Sequence, residues 1–545
     1  MRKALIILTI LSANFTSKSI NAQCNPPNAF AELDINNVKA GLMNGGDFWW
    51  DGIGVPRYEY PKGSGRLALF SGALWLSALD GNGNLLTSAM KYRNSGFEFY
   101  PGPINSTTGT VTNTSCDAFN HFWKVHRNDV QVHLNNVTSG LPVPLSQIDN
   151  SILNWPAKGN THFTSYAIQD DLAPFKDFNN NGIYDPENGD YPDIKGDQAI
   201  FWVINDIGGV HAITNGTPIG VEVQFLAYAY YDPSSSLNDA TFYDIKIIKK
   251  TPGNASDFYM GLFVDPDLGN PQDDYIGCDT LTNSGYVYNG DAFDDDYSGR
   301  PGYGQITPII STTFLNKTMN SFSYFTYALN VTGDPVTPVE YRNYLKGLWR
   351  DGSIKTVGGL GYGGTFPTTY TYFDNPASPS PAWSEVSIAN PPGDRRFIQS
   401  TGPYSLNSME SFDISFVTIA HNVMGSSDIS TLVLPTISQI SQLYTDSLAS
   451  GNKYNFALGI NPIEENLIVI YPNPVTNILT IDLNSLNGGN IRLVDLNGRE
   501  VYQDKANPNS QILKIDMSIF ENGFYLLIVE INDEKRFYKI LNSQK

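Results

Sequence analysis

The clearest hydrophobic pattern in the chain consists of three strand-length runs, "VEVQFLAYAYY" (221–231), "ATFYDIKIIKK" (240–250) and "DFYMGLFV" (257–264). Each run is rich in β-branched and aromatic residues, and the segments between them consist of turn-forming residues. In the third run the apolar side chains alternate, as is typical of a half-buried antiparallel strand: Phe258, Met260, Leu262 and Val264. The pattern predicts three consecutive strands of a meander within a β-sandwich.

A helical period occurs near residue 440. In "TISQISQLYTDSLAS" (436–450) the apolar residues recur on one helical stripe: Ile437, Ile440, Leu443, Tyr444 and Leu448. Gly451 is well placed to end this helix as a C-cap. The polar residues that follow are typical of a linker, and we place the linker at 460–466. The body, residues 23–459, is therefore predicted to be β-rich, to form two sub-domains and to end in this helix.

Residues 467–545 have the alternation of a separate β unit. In "NILTIDL" the side chains of Leu479, Ile481 and Leu483 fall on one face. "IRLVDLNGREVY" (491–502) predicts a hairpin around its Asn-Gly turn. Two further strand-like runs, "GFYLLIVEI" and "RFYKIL", follow. The pattern predicts a compact C-terminal β domain.

The composition is typical of a turn-rich β protein with several domains. The chain has 545 residues, which is too long for one ordinary core. It contains 48 glycines and 33 prolines, while only 16% of its residues are charged. The predicted fold class is therefore all-β, with a multi-domain body rich in β-sandwich and a C-terminal β-sandwich.

The segment 1–22 has the features of an export signal. Arg2 and Lys3 precede an apolar run at 4–11, and a small-residue cleavage site follows at 20–22. We expect the mature protein to have no transmembrane segment, because no apolar stretch reaches membrane length. Removal of the signal takes away three positive charges, which changes the formal net charge from −20 to −23. This acidity disfavours nucleic acid as a partner.

The cysteines allow one disulfide in an oxidising compartment. There are three of them, Cys24, Cys116 and Cys278, which is too few for a disulfide framework. One bridge would leave one thiol over, and the sequence leaves the pairing open.

The tail contains linked motifs that resemble a known family. They are "YPNPV" (471–475), "LTIDL" (479–483), "VDLNGREVY" (494–502), "IDMSIFENGFYLLIVE" (515–530) and "KRFYKIL" (535–541). Their order and spacing are similar to the type A C-terminal sorting domain of the type IX secretion system. The residues that we assign to the sorting motif are Tyr471, Pro472, Asn473, Pro474, Gly498, Gly523, Tyr525 and Lys539.

That resemblance implies a fold and an export route. The fold is an Ig-like seven-stranded β-sandwich. The route runs through the periplasm of a Gram-negative bacterium to an outer-membrane translocon and its sorting peptidase. The protein would then be extracellular or on the cell surface, with attachment through lipopolysaccharide as one outcome.

The body resembles an uncharacterised group of large secreted proteins that carry the same tail. The similar segments are 34–51, 60–80, 261–280 and 392–406. This resemblance implies no activity, so the function of the body has to be inferred from its residues.

The stretch "DFNNNGIYDPENGD" (177–190) has the spacing of a calcium loop. The oxygen donors alternate and a glycine stands at the sixth place, as a hard cation in a tight turn requires. Position 12, where an EF-hand has glutamate, is Asn188, and no helical pattern flanks the loop. The alternative is an Asx-rich turn held by its own side chains. The predicted calcium ligands are Asp177, Asn179, Asn181, Ile183, Asp185 and Asp190.

A second acidic cluster follows the strand predicted at 257–264. Carboxylates this close repel one another unless they are solvated, protonated or bridged by a cation. The cluster fits either a second calcium site or a solvated acidic loop. A third interpretation is the carboxylate pair of a glycosidase. The candidate residues are Asp265, Asp267, Asp273, Asp274 and Asp279.

Two aromatic stretches, "GGDFWWDG" (45–52) and "GFEFYPGP" (96–103), allow either sugar stacking or core packing. Motifs of zinc proteases, serine hydrolases and P-loop enzymes are absent from the sequence. We therefore predict an exported, calcium-stabilised protein with a non-enzymatic binding, adhesion or structural role at the surface. A glycan is a possible ligand. The alternative is a secreted hydrolase that acts on glycans by carboxylate catalysis.

Overall fold

The structure is a computed structural model. It describes residues 24–137, 141–327, 330–378, 382–423, 428–450, 469–471, 473, 475–482, 489–495, 499–506, 512–531 and 534–543. The predicted export signal and the predicted linker at 460–466 lie outside the described residues. The chain divides into two compact units, Met1–Tyr454 and Asn455–Lys545.

In the described part of the first unit there are 23 strands: β1 (Phe30–Leu33), β2 (Lys39–Met43), β3 (Asp47–Phe48), β4 (Tyr58–Glu59), β5 (Leu67–Leu69), β6 (Ser71–Leu79), β7 (Leu85–Ala89), β8 (Tyr100–Pro101), β9 (Trp123–His126), β10 (Phe175–Lys176), β11 (Tyr191–Pro192), β12 (Gln198–Asn205), β13 (Val221–Ala229), β14 (Ala240–Lys249), β15 (Ala255–Asp265), β16 (Asp274–Asp279), β17 (Ser284–Asn289), β18 (Ile309–Phe314), β19 (Ser321–Phe325), β20 (Lys355–Thr356), β21 (Pro367–Thr368), β22 (Arg396–Leu406) and β23 (Ser411–His421). The α-helices are α1 (Asn113–Ala118), α2 (Arg127–Asn136), α3 (Asn150–Leu153), α4 (Pro338–Leu345) and α5 (Leu434–Asp446).

Two large antiparallel sheets form this unit. The first has ten strands in the order β19-β22-β15-β6-β3-β2-β4-β5, with β1 beside β2 and β7 beside β6. The second has nine strands in the order β16-β17-β18-β23-β14-β13-β12-β8, with β9 beside β12. The short pairs β10-β11 and β20-β21 are separate. The predicted all-β class is confirmed.

Both sheets contribute to one hydrophobic core. The division of the body into two sub-domains stays a prediction. Phe48 of the first sheet stacks on Tyr243 of the second, with ring centroids 5.8 Å apart. The indole N–H of Trp49 donates to the Tyr243 hydroxyl at 2.8 Å. Trp49 and Trp50 have no exposed surface, so the stretch 45–52 packs in the core. Sugar stacking by these two tryptophans is thereby excluded.

The predicted three-strand meander is wrong at its third strand. β13 and β14 pair as expected, from Val221 opposite Lys249 onwards. β15 instead belongs to the first sheet, where it lies between β6 and β22. The position beside β14 is occupied by β23, the last strand of this unit and a distant part of the chain. Local patterns cannot show such a pairing, because they carry no information on the distant partner.

β15 is also buried on both faces rather than on one. Its first face packs in the core between the sheets, and helix α4 covers the other. The contact is close, because a Cβ built on Gly261 would lie 2.4 Å from Leu345 Cδ2 of α4. Tyr341 of the same helix makes an edge-to-face contact with Trp75 of β6, with ring centroids 4.7 Å apart. The helix therefore explains why the residues between the alternating apolar positions are buried too.

The predicted C-terminal helix of the body is present as α5. Ile437, Ile440 and Tyr444 are buried on its inner face, as the helical stripe predicts. A short 3₁₀ turn at Leu448–Ser450 follows it, and Leu448 is buried as well. Gly451 lies outside the described residues.

The disulfide joins Cys24 and Cys116, whose Cα atoms lie 5.5 Å apart, and Cys278 is a free buried thiol. Both bridged residues are buried in a small apolar cluster with Tyr100, Ile104 and Val111. The bridge fixes residue 24 beside the rest of the first unit.

The second unit has seven strands in its described residues: β24 (Val469–Tyr471), β25 (Ile478–Asp482), β26 (Gly489–Asp495), β27 (Glu500–Ala506), β28 (Ile512–Asp516), β29 (Gly523–Ile531) and β30 (Glu534–Asn542). They form a three-stranded sheet, β24-β25-β28, and a four-stranded sheet, β27-β26-β29-β30. Leu479 and Ile481 are buried as their alternation predicts, together with Leu493 and Leu527. The hairpin predicted at 491–502 is the β26–β27 pair.

Candidate metal centre

A cleft of about 440 Å³ opens where strand β15 ends. Asp265 is the last residue of β15, and its carbonyl accepts a hydrogen bond from the backbone N–H of Phe70. The start of β22 forms another part of the wall through Arg396. The residues that line the cleft are Trp50, Phe70, Tyr92, Asn94, Ser95, Asp265, Asp267, Pro271, Gln272, Tyr297, Ser298, Arg300, Tyr327, Asp394 and Arg396.

A short hydrogen-bond chain organises the floor of this cleft. The Tyr92 hydroxyl donates to Asp265 Oδ2 at 2.5 Å, and it accepts a bond from Arg396 Nε at 3.0 Å. The same Nε lies 3.4 Å from Asp265 Oδ1. The other end of the Arg396 guanidinium pairs with Asp394, with Nη1 3.2 Å from Oδ1. Arg396 therefore connects two carboxylates that belong to distant parts of the chain.

Three carboxylates converge at this floor. One oxygen from each of Asp265, Asp267 and Asp394 lies within 4.8 Å of the other two. Burial raises the pKa of Asp265 to about 6 against the opposing charge of Arg396. Burial, together with the charges of Asp265 and Asp394, raises the pKa of Asp267 well above its usual range. The three carboxylates are therefore poorly solvated, and their negative charges repel one another when they are ionised.

Aromatic rings surround the carboxylates at two levels. Deep in the cleft, Tyr92 makes edge contacts with Trp50 and Phe70, at centroid distances of 5.7 and 5.9 Å. At the rim, Tyr297 is 38% exposed and Tyr327 is 75% exposed. The Arg396 guanidinium lies 5.3 Å from the centre of the Tyr327 ring. The inner rings hold Tyr92 in place, and the outer rings are accessible to a ligand.

The remaining acids of the second predicted cluster lie elsewhere. Asp279 ends β16 and accepts hydrogen bonds from the backbone N–H and hydroxyl of Thr282, so it stabilises a turn. Asp274 is fully buried and accepts from the Leu268 N–H. Asp273 accepts from the Asn270 amide, and burial together with the charge of Asp294 raises its pKa to about 7. The structure thus groups Asp265 and Asp267 with Asp394 rather than with these three.

The loop at 177–190 is closed by its own hydrogen bonds. Asp177 accepts from the backbone N–H groups of Asn181 and Gly182, at 3.1 and 2.7 Å. The side-chain oxygens of Asn179 and Asn181 each accept from the backbone N–H two residues further on. Gly182 has a φ of +82°, which permits the sharp turn as expected.

Two acids fasten the ends of that loop. Asp190 has no exposed surface and accepts from the N–H groups of Phe178 and Asp185, at 2.8 and 2.9 Å. Asp185 accepts from the side-chain amides of Asn179 and Asn181. Ile183, whose carbonyl is a predicted ligand, is 44% exposed. This geometry is that of an Asx-rich turn, and calcium at the loop stays a prediction.

The described residues of the sorting motif lie on the first strand of the tail, just after that strand, and on the last two strands. The Asn473 side-chain amide donates to the Lys539 carbonyl at 2.8 Å, and its Oδ1 accepts from the Leu541 N–H at 2.9 Å. Gly523 begins β29, and the Tyr525 hydroxyl donates to the Glu521 carbonyl. Tyr471 ends β24. Pro472, Pro474 and Gly498 lie outside the described residues.

The sequence did not indicate most of the residues in the cleft. Asp394 and Arg396 fall inside the segment 392–406, which the family resemblance marked, but nothing in their spacing pointed to a site. Tyr92, Tyr297 and Tyr327 are single aromatic residues in loops. A single sequence carries no signal for residues that only the fold brings together.

Comparison with known proteins identifies the tail. Residues 469–542 match the family described as the secretion system C-terminal sorting domain. An ulvan lyase from Nonlabens ulvanivorans is 30% identical over 91 residues, which are 16% of this chain and 17% of that protein. This chain therefore spans less than a fifth of that relative.

One solved structure with partial similarity is a polysaccharide lyase. It shares 9% sequence identity over 59% of this chain and 34% of its own, at a TM-score of 0.19. A TM-score this low carries no statement about the fold or the activity of this chain.

These findings define the protein as an exported all-β protein that carries a C-terminal sorting domain. The tail is a sorting domain of the type IX secretion system, so the protein interacts with that machinery and is extracellular or on the cell surface. Among the helices that the structure describes, none has the length and apolar character needed to cross a membrane.

Proposed function

We propose that the body of this protein binds glycans at or outside the cell surface and performs no catalysis there. The observation that carries the proposal is the rim of the cleft, where Tyr327 and Tyr297 expose their rings above charged side chains. An exposed ring offers a flat apolar face, and the partly exposed carboxylates of Asp267 and Asp394 beneath it can hydrogen-bond to hydroxyl groups. The sorting tail supports a place outside the cell.

The burial of Asp265 favours binding over hydrolysis. Asp265 is 3% exposed and already bonded to Tyr92, so its carboxylate is closed to a sugar. Glycan hydrolysis remains the alternative function, and the binding experiment includes a test for it.

Removal of one rim ring is expected to weaken glycan binding. The Tyr327→Ala variant loses a stacking face, which is worth about 1 to 2 kcal/mol for a well-placed aromatic side chain. This corresponds to an affinity loss of about 5- to 30-fold. The measurement is calorimetric titration of the full chain with soluble polysaccharides, both neutral and acidic.

The matched control is Tyr231→Ala, because Tyr231 is also exposed, at 61%, and does not line the cleft. We expect it to bind like the wild type. Equal affinities for the two variants and the wild type would contradict the proposal. Release of new reducing ends without an unsaturated sugar product during the titration would support the hydrolase instead.

We further propose that calcium occupies the loop at 177–190 and stabilises the body. The support is the spacing of the donors, the positive φ of Gly182 and the attachment of the loop at Asp190. Binding that favours the folded state stabilises it by about 2.7 kcal/mol at a hundredfold excess over Kd. The ion would hold the loop and take no part in chemistry.

Calcium is therefore expected to raise the melting temperature of the wild type, and a chelator to reverse the rise. Asp177→Asn should reduce the effect, because it removes one charge from the loop. The comparison variant is Asp279→Asn, which changes an acid in a separate turn. Identical melting curves with and without calcium in the wild type would refute a structural calcium ion.

The tail is proposed to be removed by the sorting peptidase after export, with attachment to lipopolysaccharide as one outcome. The support is the match of residues 469–542 to the sorting domain.

A further inference from the structure

The charged groups at the floor of the cleft carry more negative than positive charge. Asp265, Asp267 and Asp394 bring three carboxylates together, and Arg396 contributes one guanidinium to the same group. Two negative charges are left over when these four groups are ionised, and Arg300, which lines the same cleft and interacts with Asp267, offsets only one of them. Burying like charges together is costly unless a counter-charge accompanies them.

One oxygen of the buried Asp265 carboxylate also lacks a hydrogen bond. Its side chain is only 4% exposed, and its Oδ1 accepts no hydrogen bond among the described residues. Arg396 Nε forms an ion pair with this oxygen at 3.4 Å, but its single N–H donates to the Tyr92 hydroxyl at 3.0 Å. A buried carboxylate oxygen without a donor is uncommon, because its desolvation is not compensated.

We infer that Asp265, Asp267 and Asp394 form a calcium-binding site on the floor of the cleft. The site is distinct from the loop at 177–190, and it includes Asp394, which the sequence did not indicate. The inference does not depend on glycan binding.

The size and chemistry of the site match this ion. A calcium ion lies about 2.3 to 2.6 Å from its oxygen ligands, so oxygens on opposite sides of it are about 4.6 to 5.2 Å apart. The three carboxylate oxygens, within 4.8 Å of one another, can all contact one such ion. Every ligand in the group is an oxygen, which suits a hard cation and disfavours zinc or copper.

The cleft also offers the further oxygens that calcium requires. The ion takes six to eight oxygen ligands, and water can supply those on the open side. Asn94, Ser95 and Gln272 line the cleft and carry neutral side-chain oxygens. Asp267 and Asp394 are partly exposed, so the ion has a path from solvent.

The test is calorimetric titration of the full chain with calcium chloride, in an Asp177→Asn background that weakens the loop site. We expect one site with a Kd of about 10⁻⁴ to 10⁻³ M, the range of extracellular modules. Asp394→Asn in the same background should weaken this binding tenfold or more, and Asp267→Asn should do the same. Asp279→Asn is the matched control and should leave the affinity unchanged.

Two results would overturn the inference. One is the absence of calcium binding up to 10 mM (roughly ten times the weakest expected Kd) in the folded Asp177→Asn chain, a result that needs no variant in the cleft. The other is an unchanged affinity in both cleft variants. Glycan binding that persists in a chain without calcium affinity would leave the proposed function intact, so the two ideas can fail separately.

Discussion

Deletion of residues 467–545 is expected to leave the protein in the periplasm, with little or none on the cell surface or in the medium. The sorting domain occupies residues 469–542, and through it the protein interacts with the secretion machinery. The tail is compact by itself, because the seven strands described in it enclose a separate hydrophobic core. Removal of the tail therefore takes away the signal for transport across the outer membrane. It does not cut through the hydrophobic core of the body.

The measurement is cell fractionation followed by immunoblotting of periplasm, surface and medium. Asn473→Ala is an informative point variant, because Asn473 joins the start of the tail to β30 through two hydrogen bonds. We expect it to reduce delivery only partly. Residues 467–545 fused to an unrelated periplasmic protein provide the reciprocal control. Normal surface delivery of the truncated chain would disprove the sorting role.

Loss of the Cys24–Cys116 bridge is expected to cost about 4 kcal/mol of unfolding free energy. The bridge closes a loop with a sequence separation of 92 residues, and the entropy that it removes from the unfolded chain grows with loop length. The double variant Cys24→Ser and Cys116→Ser also places two hydroxyl groups in a buried apolar cluster. The measurement is urea unfolding of the oxidised wild type and of the variant.

A reducing agent supplies the control for this experiment. It should lower the stability of the wild type toward that of the double variant and leave the variant unchanged. Cys278 is free in both proteins, so it contributes equally to each. A wild type that unfolds at the same urea concentration with and without the reductant would contradict the stabilising role of the bridge.

The local patterns predicted those parts of the protein that depend on neighbouring residues. The hairpin at 491–502, the helical stripe around Ile440 and the pairing of β13 with β14 are all present. The sorting tail was identified because its motifs all lie between positions 471 and 541 and in fixed order. In each case the residues that form the pattern lie in one short stretch of the chain or in two stretches joined by a short turn.

Acidic residues that are close in the sequence are separated in the structure, and one that is distant in the sequence joins the cleft. Asp279 follows Asp265 closely in the chain, yet it stabilises a separate turn. Asp394 lies far from Asp265 in the chain and shares its carboxylate group. The reason is that β15 runs beside β22, which brings the end of one strand to the start of the other.

The sequence by itself therefore determined the all-β class, the export route and the acidic loop with its sharp turn. The tertiary structure decided the sheet to which β15 belongs, the pair of cysteines that is bridged and the three acids that meet in the cleft. The physical reason is the range of the interactions. Backbone propensity and side-chain alternation act over a few residues, whereas strand pairing between distant segments is selected by the packing of the whole core.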